Sequence, residues 1–197
     1  DRREREVAVT FLVDLSGSTS RQIDSADSRR VIDVEKEAWV LLCEALEAIG
    51  HQYAIYGYSS QGRRHVDFVM LKDFDEPLNR SSSRIGALMP LQQNRDGAAI
   101  RHAARKLQQR DAQVRLLVLI SDGKPLDDAY VDEYALEDTK MALQEMRRQG
   151  IHPFCITVDR DADEYVRRMY GDVRYLVIDE AAALPEKLPR IYQRLTA

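Results

Sequence analysis

Two stretches of this chain are apolar without alternation and end on carboxylates, and they restrict the fold more than anything else in it. Val7 to Val13 reads VAVTFLV and stops at Asp14; Val114 to Ile120 reads VRLLVLI and stops at Ser121-Asp122-Gly123. A strand with one wet face alternates apolar and polar residues, so a strand without alternation must be covered on both faces. Helical stripes between the strands supply that cover. Over Arg29 to Ile49, Val34, Ala38, Leu41, Leu42, Ala45 and Ile49 recur at three- and four-residue spacing, and Gly50 stops the run. Gly97 to Gln109 and Leu136 to Gln149 are also read as helices, with shorter ones at Asn79–Leu88, Asp163–Met169 and Pro185–Leu195. Further strands are read at Gln52–Tyr58, His65–Leu71, Ile151–Val158 and Val173–Ile178, with turn residues Ser60 to Arg63 closing a hairpin between the first two of these. The alternation predicts an α/β fold: a doubly wound, Rossmann-like open sheet, mostly parallel with one antiparallel edge strand, helices on both faces, and residues 1–197 forming one domain.

Composition narrows the function. The formal net charge is −4, which argues against nucleic acid or an anionic membrane as the principal partner. No apolar run reaches the ~18 residues of a membrane-spanning helix. Cys43 and Cys155 both sit inside apolar runs, the pattern of two buried free thiols in a cytoplasmic protein, although a disulfide between them is left open.

Three strand or loop ends hold the chemistry: Asp14-Leu15-Ser16-Gly17-Ser18, Asn94-Arg95-Asp96-Gly97 and Ser121-Asp122-Gly123. Strands flanking a crossover bring their carboxyl ends together, and open α/β sheets bind ligands at that edge. Asp14 and Asp122 placed close together repel unless a cation or proton lies between them. Ser16 and Ser18 alternate with Asp14, so one turn can aim three oxygens at a point. Carboxylate, hydroxyl and water are the hard ligands of Mg²⁺ and Mn²⁺. A plainer reading is an Asx turn or helix cap at Asp14, and a cap of the following helix by Asn94 or Asp96.

The set Asp14-x-Ser16-x-Ser18 with Asp122 resembles the metal-ion-dependent adhesion site of von Willebrand factor A domains, and the order of elements resembles that family along nearly the whole chain. The resemblance implies one divalent ion, Mg²⁺ or else Mn²⁺ or Ca²⁺, held by Asp14, Ser16, Ser18 and Asp122 with a position open to an Asp or Glu of a partner protein. The family's second loop carries a threonine; Asn94 stands there, as an amide contributor to the same ion.

Tyr53-Ala54-Ile55-Tyr56-Gly57, Lys72 to Glu76, Gly97 to Ala103, Ser121 to Pro125 and Glu137-Asp138-Thr139 look like the C-terminal domain of the CbbO/NorD group. This implies the C-terminal fragment of an adaptor that works with a hexameric MoxR-type AAA+ ATPase, where the ATPase activity would reside. Gly150 to Asp159 inclines toward CbbO, with inhibited Rubisco as client; NorD, with nitric oxide reductase, is the neighbouring alternative. Enzyme readings find little support. A haloacid-dehalogenase-type phosphatase needs an aspartate where Ser16 stands. Neither a Gly-x-Ser-x-Gly elbow nor a Gly-x-Gly-x-x-Gly or Walker A loop occurs. Lys72 to Glu76 is read as a solvated loop, and Asp127, Asp128, Asp132 and Glu133 as an acidic surface beside the ion.

Overall fold

The computed structural model describes residues 6–23, 28–159, 162, 165–178 and 180–196. Strands β1 (Val7–Asp14), β2 (Gln52–Ser60), β3 (Val66–Lys72), β4 (Val114–Ser121), β5 (His152–Thr157) and β6 (Arg174–Val177) form one sheet in the order β3-β2-β1-β4-β5-β6. All neighbours are parallel except β2 and β3, the expected antiparallel edge hairpin. The chain winds outward in one direction from β1 and in the other from β4. These two central strands pair in register, with Val13 opposite Ile120, so Asp14 and Asp122 emerge at the same edge.

Every residue of β1 is buried, and its side chains divide between two cores. Val9, Phe11 and Val13 face α1 (Val31–Ile49), α2 (Leu78–Gly86) and α6 (Leu184–Thr196). Ala8 and Leu12 face α3 (Asp96–Gln108), α4 (Asp132–Arg148) and α5 (Val166–Tyr170). At roughly 25 cal/mol per Å² of apolar surface, burial on both sides is the main force holding the layers to the sheet. The helix α1 stops where the left-handed Gly50 (φ 79°) turns its N–H back to the Leu46 carbonyl. Cys43 lies in the first core and Cys155 in the second. The sheet separates them, both are free and buried, and the disulfide left open by the sequence does not form.

Several elements depart from their sequence reading. The helix α4 begins at Asp132, a turn before Leu136; its first three residues are exposed and carry no apolar stripe that would mark the start. Within the loop read over Leu15 to Ser28, Gly17–Ser20 forms a 3-10 turn, and residues 24–27 lie outside the described residues. So do Asp163 and Glu164 of the helix read over Asp163–Met169. Lys72 is not solvated: its ammonium lies 3.8 Å from the Tyr53 ring centroid and donates to the Tyr53 carbonyl at 3.1 Å.

Candidate metal centre

The first loop is pinned to the sheet before it turns. The Leu15 N–H donates to the Tyr58 carbonyl (2.9 Å), and the Leu15 side chain lies over Gly57, where an added Cβ would come within 2.3 Å of its Cδ1. That close approach explains a glycine inside β2. Ser16 N–H then donates to Asp14 Oδ1 at 2.7 Å, which is the Asx turn of the plainer reading. It coexists with a larger network, because a carboxylate oxygen has a second lone pair to offer. Ser16 Oγ and Ser18 Oγ lie 2.8 Å apart, and Ser18 Oγ donates to Asp122 Oδ1 at 2.7 Å. A continuous polar chain therefore runs from the end of β1 to the end of β4. Asp14, Ser16 and Asp122 are buried, and Ser18 opens to solvent.

The second loop joins from the side. Asn94 is buried; its Nδ2 donates to Asp14 Oδ2 at 2.7 Å and to Asp96 Oδ1 at 3.3 Å, and its Oδ1 accepts the Leu126 N–H at 2.8 Å. Asp96 also accepts the Tyr58 hydroxyl (2.8 Å). Neither residue caps α3, whose N-cap position is Arg95, without a capping side chain. Arg95 is buried and pairs with Asp127, Nε to Oδ2 at 2.6 Å, while its guanidinium lies 4.6 Å from the Tyr130 ring centroid. Asp127 also accepts the N–H groups of Gly62 (2.8 Å) and Asp128 (2.7 Å). It is thus an internal strut between loops, not part of the acidic surface inferred from its neighbours.

Carboxylates accumulate here. Burial, then Asp122 and Asp96, hold the Asp14 carboxyl well above its ordinary range. Burial raises Asp122 too, opposed by the Ser18 hydrogen bond and the charge of Arg21. Burial pushes Asp96 up to about 7 against the Tyr58 hydrogen bond, with Asp138 and Asp122 adding to the rise. Glu35 of α1 is only 1% exposed and is raised by burial and by the charges of Asp122 and Asp14. Asp122 Oδ2, Asp96 Oδ2 and Glu35 Oε2 are buried with no hydrogen-bond partner among the described residues. The buried guanidinium in the second loop, Arg95, is engaged by Asp127 and does not compensate them.

Asp122, with one buried oxygen unpartnered and the other joined to the Ser18 and Ser16 hydroxyls, fits a hard divalent cation. Among the described residues no three His, Cys, Asp or Glu side chains stand together as a ligand cluster, so the fit depends on hydroxyl and water oxygens beside Asp14 and Asp122. Of the five residues singled out from the sequence, Asp14, Ser16, Ser18 and Asp122 are linked directly, and Asn94 joins them through its nitrogen. Sequence reading passed over Glu35, although it lies on the stripe shared by Ala38, Trp39 and Leu42, where a carboxylate has no ordinary reason to be.

A family model described as von Willebrand factor type A domain matches residues 8–187. An uncharacterized protein of Pseudomonas aeruginosa is 44% identical over 195 residues, which cover 98% of this chain and 32% of that protein. Protein NorD of Brucella melitensis is 42% identical over 192 residues, 96% of this chain and 30% of NorD. The chain therefore spans about a third of the length of these curated relatives. Among solved structures, the PilB minor pilin from Streptococcus sanguinis matches all of this chain and 62% of the pilin with a TM-score of 0.74 at 17% identity, a likeness of fold alone.

Proposed function

The chain belongs to the von Willebrand factor type A domain family, and from that membership we propose that it is a metal-dependent protein-binding domain, an adaptor that grips a carboxylate of a client and does not act as an enzyme. One observation carries the reading: the hydroxyl chain from Ser16 through Ser18 to Asp122 at the carboxyl edge of β1 and β4, where Asp122 keeps a buried oxygen without a partner. Asp14, Ser16, Ser18 and Asp122 would hold Mg²⁺, or Mn²⁺ or Ca²⁺, directly or through water, with Asn94 contributing from the second loop. A bound divalent cation supplies a doubly positive contact for a carboxylate oxygen of the client. The chain's own residues do the rest. Asp14 and Asp122 provide the negative charge, the serines provide neutral oxygens, and Leu15, packed over Gly57 and bonded to the Tyr58 carbonyl, anchors the loop to the sheet. The surrounding loops confer specificity.

The chain is homologous to NorD-type proteins, with relatives of that name 41–43% identical to it. On that basis we place the NorD reading first: one domain of a longer adaptor that presents nitric oxide reductase to a MoxR-type AAA+ hexamer. The second reading, Rubisco as client, rests on the resemblance of Gly150 to Asp159 to CbbO. The test is a pull-down by the full-length parent protein of each client and of the cognate hexamer, with Mg²⁺ or with EDTA, for wild type and Asp14→Ala. Capture that needs Mg²⁺ and is lost in the variant supports the adaptor role, and the client captured decides between the two readings. Capture indifferent to both would refute it. So would turnover of a generic phosphate ester that disappears in Asp14→Ala, which is the signature of a phosphatase.

A further inference from the structure

The second loop can serve a cation in two chemically opposite ways. It can offer an oxygen, as a threonine or a reversed carboxamide would, or it can offer a hydrogen-bond donor to a carboxylate. The orientation of Asn94 decides between them. Its Oδ1 faces the Leu126 N–H at 2.8 Å, a backbone donor that cannot accept, so the oxygen must be on that side. The nitrogen is thereby aimed at Asp14 Oδ2 (2.7 Å) and Asp96 Oδ1 (3.3 Å). Turning the amide would leave the Leu126 N–H facing an NH₂ group and set an amide oxygen against two carboxylates.

Asp96 completes this arrangement. It is fully buried, and both of its contacts, the Tyr58 hydroxyl and the Asn94 nitrogen, fall on the same oxygen. Tyr58 is itself fully buried in the second core, on β2. A rigid ring thus fixes Asp96, Asp96 fixes the carboxamide, and the carboxamide fixes Asp14. We propose that Asp96 is a positioning residue of the centre, holding the Asn94 carboxamide with its nitrogen on Asp14, so that the second loop orients a ligand and gives no oxygen to the cation. The proposal rests on the metal-binding reading above, and it assigns Asn94 a role different from the one its place in the motif implies.

The single-oxygen contact makes the idea testable. In Asp96→Asn the amide oxygen can keep both contacts, while the NH₂ takes the place of Oδ2, which has no partner. In Asp96→Ala both contacts are lost. Mn²⁺ binding should therefore weaken about tenfold or more in Asp96→Ala, the scale of loss when a residue orienting a metal ligand is removed, and stay within about twofold of wild type in Asp96→Asn. Asn94→Thr should weaken binding as well. The ¹⁵N-correlated side-chain NH₂ signal of Asn94 in the cation-free protein gives a second readout. It should move in Asp96→Ala and keep its position in Asp96→Asn, whether or not the protein binds metal. Wild-type affinity in Asp96→Ala, or an Asn94 signal that does not move there, would overturn the proposal. Equal losses in Asp96→Asn and Asp96→Ala would overturn it differently, showing that Asp96 acts by its charge. No Mn²⁺ binding by wild type would defeat the metal reading alone, since the Asn94 signal would still report on the relay.

Discussion

Leu15 lies between two residues of the centre in sequence, and its side chain packs on Gly57 of the neighbouring strand. Gly57→Ala must displace that side chain, and overpacking of this kind costs about 1–3 kcal/mol. The expected outcome is a lower urea midpoint together with weaker cation binding, because the displaced residue carries Asp14 and Ser16 with it. Adding Leu15→Ala to Gly57→Ala should recover part of the cation affinity even though it removes a buried side chain, and a double-mutant cycle would measure that coupling. The proposed ligands Asp14, Ser16, Ser18 and Asp122 were legible in the sequence because a short motif and a strand end announce them. The orientation of Asn94 was not, because it depends on contacts with the N–H of Leu126, 32 residues away and in another loop, and with the carboxylates of Asp14 and Asp96. Glu35 is not legible because apolar spacing alone does not fix the buried face of α1: Leu41 and Ile49 are exposed, while Glu35 is buried beside Ala38, Trp39 and Leu42.

Individual elements show why some boundaries were readable and others were not. The strands β1 and β4 are bounded by polar residues and stand as expected; the first turn of α4 is solvent-facing, with Tyr134 57% exposed, so no apolar period marks it. What fixes the loops above these elements is the Arg95–Asp127 pair, which ties the start of α3 to the loop before α4 and, through the Gly62 N–H, to the β2–β3 hairpin. The acidic run around Asp127 suggested a surface because sequence does not reveal which member of a run turns inward. Asp127→Ala would leave the buried Arg95 guanidinium uncompensated. Breaking such a pair from one side costs about 3–5 kcal/mol, to be read from urea unfolding. Asp128→Ala, one residue on and exposed, should change stability by no more than about 0.5 kcal/mol.

Across the whole molecule, the sheet order, the two helical layers and the opposite placement of the cysteines all follow from strands that need cover on both faces. The same architecture gathers Asp14, Glu35, Asp96 and Asp122 at one edge, and that has a consequence for pH. Asp14, Glu35 and Asp96 have folded-state values above their ordinary ones, Asp96 reaching about 7. Between the ordinary carboxylate range and the raised values the folded protein holds protons that the unfolded chain has released. Stability in EDTA should therefore fall as pH rises through that window. Carboxylates held low act below it, as with Asp127, where hydrogen bonds from Gly62, Arg95 and Asp128 outweigh burial. A cation replaces the protons, so Mg²⁺ should raise the melting temperature clearly at pH 7.5 and little at pH 5, with each ~1 kcal/mol worth about 2–4 °C in a chain of this size. Equal melting temperatures in EDTA at the two pH values would contradict this electrostatic picture. The central claim, that Asp14, Ser16, Ser18 and Asp122 hold one divalent ion, is tested most directly by titrating Mn²⁺ into the purified domain while following the electron paramagnetic resonance signal of free Mn²⁺. The expected result is loss of signal at one equivalent per chain, reversed by excess Mg²⁺ and absent in Asp14→Ala. A signal that rises with added Mn²⁺ as it does in buffer, or binding that survives Asp14→Ala unchanged, would contradict it.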